Sequence, residues 1–149
     1  ARQGDPLAFT FSKANIKTLD YSVSGLKTSF LYFLRDRLKE DQDFVRNNLN
    51  DLCASIQHAI VESLIHKLAK AARDTGISEI AITGGVSANS GLREAVYSLG
   101  TRKNWNVYIP ELQYSTDNAA MIAISGYYKY LRGQFSSLGL TPVARFDHL

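Results

Sequence analysis

The sequence predicts an α/β fold, rich in helix with a small, mainly parallel sheet. Three observations carry that reading. Helical periodicity runs through most of residues 26–73, two short apolar runs follow at residues 80–83 and 106–109, and each run leads into a further helical pattern. The order strand, helix, strand, helix over residues 79–132 is that of a parallel pair joined by a crossover helix.

Residues 1–20 read as irregular, with Gly4-Asp5-Pro6 as a turn signal and Phe9–Ser12 as a short strand. Asp20-Tyr21-Ser22-Val23-Ser24 alternates in the manner of a strand and stops at Gly25. Leu26, Phe30, Leu34 and Leu38 then recur at every fourth residue, which predicts a helix from Leu26 to about Lys39 with Ser24 as its cap. A longer helix is predicted from Gln42 to Arg73. Its inner stripe is Leu49, Leu52, Cys53, Ile56, Ile60, Leu64, Leu68 and Ala71, and Gly76 is its stop. Ile80-Ala81-Ile82-Thr83 is too short for a helix and has the shape of a buried strand, broken by Gly84-Gly85. Ala88 to Lys103 reads as a helix with Leu92, Ala95, Val96 and Leu99 inward, and Asn106–Ile109 as a second strand ended by Pro110. Residues 111–115 read as a loop and Asp117 to Arg132 as a last helix. Residues 1–133 thus form one unit, and 134–149 form a tail without clear period.

Of the 149 residues, 45% are hydrophobic and 21% charged, so a core can form. The formal net charge of +3 is spread along the chain, with no run of five basic residues. Such a charge permits contact with nucleic acid without requiring it. No apolar run nears the roughly 18 residues that span a bilayer, so no membrane segment is expected. The single cysteine, Cys53, is read as a small buried residue. A lone thiol closes no internal disulfide, which fits a reducing cytoplasm. The polar start Ala1–Gly4 reads as a cut end rather than a signal peptide.

Three stretches can carry chemistry. In the first, Ile80-Ala81-Ile82-Thr83-Gly84-Gly85-Val86-Ser87-Ala88-Asn89, a strand meets a double glycine and then a helix start. Glycines let a ligand approach the backbone closely, and a helix N-terminus suits a phosphate. Ser87 and Asn89 add short polar groups at the mouth. The same pattern also serves an ordinary strand-to-helix turn. In the second, Ser115-Thr116-Asp117-Asn118, Thr116 or Asp117 can cap the last helix, or Asp117 can offer oxygen to a metal. The third, Asp20–Thr28, gathers Ser24, Gly25, Lys27 and Thr28, but its spacing is not that of a phosphate loop. His58 and His66 are too far apart on one helix to share a metal, at about 12 Å for 1.5 Å per residue.

Taken together, Asp20–Thr28, Gly84–Asn89 with Leu92-Arg93, and Thr116-Asp117-Asn118 with Ala120–Ala123 resemble the TsaD family over about residues 5–133. This is the Kae-type family, formerly labelled O-sialoglycoprotein endopeptidase. The resemblance implies part of the second lobe of an actin-like ATPase fold. It implies an enzyme that transfers threonylcarbamoyl from threonylcarbamoyl-AMP to an anticodon-loop adenosine of tRNA. It assigns Gly84, Gly85, Ser87 and Asn89 to an adenylate ligand, threonylcarbamoyl-AMP or ATP, and Asp117 to a divalent metal, iron or zinc, one per full-length subunit. It names no general base. Partners implied are tRNA, the N-terminal lobe, and companion subunits, TsaB-like and TsaE-like in bacteria. The family's HxxxH metal ligands, its glycine-rich turn and its following acidic motif have no counterpart here. The segment alone is therefore expected to be inactive, and the alternative is an assembly or binding module.

Overall fold

Apolar side chains at helical spacing make one long helix, and the other elements pack along it. The computed structural model describes residues 1–11 and 19–141. Its elements are α1 (Val23–Glu40), α2 (Phe44–Asn47), α3 (Leu49–Thr75), β1 (Glu79–Ala81), α4 (Ser90–Lys103), β2 (Asn106–Tyr108) and α5 (Ala119–Leu131). Short 3-10 turns at Gly85–Ala88 and Leu112–Tyr114 precede α4 and α5. β1 and β2 pair in parallel, with Ile80 beside Val107, as the strand–helix–strand order predicts.

α3 carries two cores. Toward its C-terminal half, Val61, Leu64, Ile65, Leu68 and Ala72 meet Ile80 of β1 and Leu92 and Val96 of α4. Val96 is fully buried. Toward its N-terminal half, Ile56, Ala59 and Ile60 meet Leu26, Phe30 and Phe33 of α1 and Phe11 of the N-terminal arm. Aromatic rings fill that second core, with Phe11–Phe30 centroids 5.2 Å apart and Phe9–Phe33 5.4 Å apart. The arm is tied down by hydrogen bonds. Asp5 N donates to Asp51 Oδ1 at 2.8 Å, Phe9 N donates to Ser55 Oγ at 3.1 Å, and Ser55 Oγ donates to Asp5 O at 3.2 Å. These bonds satisfy the buried Ser55 hydroxyl.

Several expectations are corrected. Asp20–Ser24 is not a strand, because helix α1 already begins at Val23. Ser22, not Ser24, is its cap, and its Oγ accepts from Gly25 N at 3.2 Å. A cap bond outweighs five residues of weak alternation. Phe9–Phe11 has no strand pairing, and Ser12 lies outside the described residues. The predicted helix from Gln42 is broken at Asn48. There the side-chain Nδ2 donates to Phe44 O at 2.8 Å, and Leu52 N donates to Asn48 O at 2.9 Å. Asn48 so closes α2 and opens α3, since a short amide competes with the helix ladder. Gly76 does stop α3, at φ 70°. Cys53 is exposed, not buried, because α3 turns it away from both cores.

On the outer face of the sheet, Asn106 Nδ2 and Tyr108 OH both donate to the Glu79 carboxylate, the latter at 2.7 Å. The bond from Asn106, then that from Tyr108, holds Glu79 below its ordinary value of 4.5. Bonds to the charged form lower a carboxyl pKa, so this contribution is complete above 4.5 and fades as pH falls through the folded value. Glu79→Gln should therefore flatten the acid limb of stability below pH 4.5, read as urea midpoints along a pH series.

Candidate functional site at the double-glycine turn

Between β1 and α4 the chain must reverse and still satisfy its backbone. Gly84 does this at φ 81°, where a side chain would be strained. Its carbonyl accepts from Ser87 N at 3.0 Å and from Ser87 Oγ at 2.7 Å. Ser87 is wholly buried, so its hydroxyl shapes the turn from inside. Gly85 has an ordinary φ, and a Cβ built on it or on Gly84 would meet no atom within 4 Å. The two glycines therefore have different duties: Gly84 supplies the backbone angle, and Gly85 leaves an open face. α4 then starts at Ser90 rather than Ala88, capped by Asn89, whose Oδ1 accepts from Leu92 N at 3.0 Å. The Asn89 Nδ2 donates to Gln57 Oε1 of α3 at 3.4 Å.

Arg93 lies one helical turn after Asn89. Its Nε donates to Ser87 O at 2.7 Å, and its Nη2 donates to Pro110 O and, at 3.2 Å, to Ser115 Oγ. One guanidinium thus joins the double-glycine turn to the loop that leads to Asp117. Ser115 is buried and completes this knot by donating to Glu111 O at 3.4 Å. A cationic residue within the turn after an N-cap, beside an apolar stripe, was the available sign of Arg93.

Asp117 is exposed and does not cap α5. Asn118 does, its Oδ1 accepting from Met121 N at 3.1 Å, so α5 begins two residues later than predicted. Among the described residues no group of three or more His, Cys, Asp or Glu side chains is close enough to hold a metal. One carboxylate does not make such a site, so the donors of this segment do not by themselves fit a metal. His58 Nε2 lies 3.8 Å from Glu62 Oε2, on the exposed side of α3.

One hollow borders the turn and a second lies further along α3 and α4. The first, of about 190 Å3, is lined by Thr83, Val86 and Ser87 of the turn, Leu64 and Leu68 of α3, and Tyr21. Partial burial raises the Tyr21 hydroxyl above its ordinary 10.0. So Tyr21 of the third stretch meets the first stretch, whereas Lys27 and Thr28 are exposed on α1. The other hollow, of about 530 Å3, lies between α3 and α4 and includes Gln57, His58, Gly91 and Glu94.

The family model for TsaD, tRNA N6-adenosine threonylcarbamoyltransferase, matches residues 1–124. The chain belongs to the TsaD family. Among curated relatives carrying that family's name, the chain is 53% identical over 145 residues to the protein of Porphyromonas gingivalis and 56% identical over 145 residues to that of Phocaeicola vulgatus. To the protein of Riemerella anatipestifer it is 52% identical over 147 residues. These matches cover 97%, 97% and 99% of this chain but only 42%, 43% and 43% of the relatives. The chain therefore spans about two fifths of the length of the curated relatives it matches. The helix-rich segment with one parallel strand pair belongs to the actin-like ATPase fold of the TsaD family. No helix among the described residues is long and apolar enough to cross a membrane.

The caps separate two neighbouring residues. Asn118→Ala should cost about 1 kcal/mol, whereas Asp117→Ala should change stability by less than about 0.5 kcal/mol. Urea titration of both variants of this segment checks the difference.

Proposed function

We propose that the whole protein transfers a threonylcarbamoyl group from threonylcarbamoyl-AMP to an anticodon-loop adenosine of tRNA. In this reading the segment supplies the adenylate-binding turn of the second lobe. The observation that carries it is the open face at Gly84-Gly85, where a Cβ would meet no atom within 4 Å, at the start of the short turn that leads into α4. A phosphate can approach such a backbone closely, because no Cβ stands in its way. Asn89 stands at the far end of that turn, where it caps α4 with its amide oriented, and Ser87 holds the turn in shape. Asp117 offers one carboxylate toward an iron or zinc ion, with further donors from outside this segment. Bound there, the ion would supply Lewis-acid stabilisation of developing negative charge. Alone, the segment is inactive. The whole protein works in the cytoplasm, on tRNA, with its first lobe and with TsaB-like and TsaE-like companions.

Gly85 gives the cleanest test, because a Cβ there meets no protein atom within 4 Å. Gly85→Val in the full-length protein should keep the stability of the fold and weaken ATP binding at least about tenfold, a loss of about 1.4 kcal/mol. Calorimetry of ATP binding together with urea unfolding checks both halves. ATP affinity equal to wild type would reduce the turn to a plain chain reversal. Asp117→Ala in the full-length protein should remove nearly all transfer to tRNA while its urea midpoint stays in place.

A second reading, the segment as a packing module, is favoured by α5. It buries none of its residues, and Ile122 (77% exposed), Ile124, Tyr127, Tyr128 and Leu131 all face outward. A bare apolar surface of this kind drives association. The isolated segment should self-associate, and Ile124→Asp should shift it toward monomer in sedimentation velocity.

A further inference from the structure

We propose that Gln57 is a positioning residue that fixes which face Asn89 turns to the adenylate. The proposal rests on the adenylate reading above. An asparagine amide has two N–H hydrogens and two oxygen lone pairs. In Asn89, one lone pair is taken by Leu92 N and one hydrogen is given to Gln57 Oε1. One hydrogen and one lone pair are left over, and both point where these two bonds place them. Remove the bond to Gln57 and the amide is held at one end only, free to pivot about its bond to the helix.

Gly91 supports the same arrangement independently. A Cβ at this position would come within 2.9 Å of Gln57 Nε2 and 3.3 Å of Asn89 Oδ1. The bare backbone at Gly91 lets the amide of Gln57 reach from α3 to the start of α4. Gln57 is half-buried on the one helix that is packed into both cores, so its mount is rigid. A fixed mount for a ligand-contacting side chain is what a binding site needs from its surroundings. Gln57 itself touches no ligand in this proposal and acts through Asn89.

The test uses the full-length protein and ATP, titrated calorimetrically. Gln57→Met keeps length and shape but loses the acceptor, and should weaken ATP binding about fivefold, the scale of one hydrogen bond. Gly91→Ala should also weaken it, with Gln57 itself kept, because its methyl crowds the Gln57 amide at 2.9 Å and Asn89 Oδ1 at 3.3 Å and so disturbs their pairing. It also keeps the helix favourable should Gln57→Met fail to fold. In an Asn89→Ala background, already weakened, neither change should weaken ATP further, since there is no amide left to orient. That non-additivity is a reading that loss of packing alone would not give. Wild-type affinity in both Gln57→Met and Gly91→Ala, beside a weakened Asn89→Ala, would overturn the role of Gln57 and leave the adenylate site standing. Fully additive losses would overturn it as well. Wild-type affinity in Asn89→Ala would overturn the adenylate site and the role of Gln57 together.

Discussion

The site is held together by one guanidinium. Arg93 bonds the carbonyls of Ser87 and Pro110 and the hydroxyl of Ser115, and so spans the turn before α4, the end of the second strand and the loop before α5. Charge-assisted bonds of this kind are stronger than neutral ones, and the rigid fork of arginine lets one side chain serve several acceptors. Lysine, a single point charge, would not reach all three in the same geometry. The Ser87 hydroxyl and the Gly84 carbonyl are then fixed relative to the approach to Asp117, although the two loops lie more than twenty residues apart in sequence.

Arg93 is effective because α4 is immobile. Val96 follows Leu92 into the core against α3, β1 and β2 and has no exposed surface, and Leu99 of the same stripe is buried as well. α3 is the common wall of both cores, which couples the aromatic cluster around Phe11 and Phe33 to the sheet. A loop placed by a rigid scaffold is a general way of combining precise geometry with an accessible site. Here the scaffold is two helices and two three-residue strands, small for the duty, and the bonds of Arg93 and Asn89 supply what the short sheet does not.

Much of this was legible along the chain. The stripe from Leu52 to Leu68 repeats for so many turns that no competing signal displaces it, and Gly76 punctuates it, although at its end the helix buries Ala72 rather than the predicted Ala71. The parallel pair follows from the order of elements. Less legible were the ends, where one hydrogen bond decides between neighbours. Ser22 and Ser24 are equal candidates in composition, and only the geometry at Gly25 selects Ser22. Asn118 displaced Asp117 in the same way. Periodicity also overreached at Asn48 and Cys53, because an apolar stripe does not tell which of its edge positions faces solvent. The double glycine pointed to the turn but could not divide the labour between Gly84 and Gly85. Gln57 lies 32 residues from Asn89, a contact made by the packing of two helices and invisible in local spacing.

α5 has a consequence for how order is distributed. It is 13 residues long, with no buried side chain. Helices of about 12–15 residues are marginal in water, because one costly nucleus must be offset by few propagating bonds. Such a helix draws its persistence from whatever covers its apolar side. If the packing reading holds, α5 would form and dock together, with a heat-capacity change that reports the apolar area covered. The loop that carries Asp117 sits directly between this exposed apolar helix and the anchor at Arg93, held by side-chain bonds at one end and by a helix that buries nothing at the other.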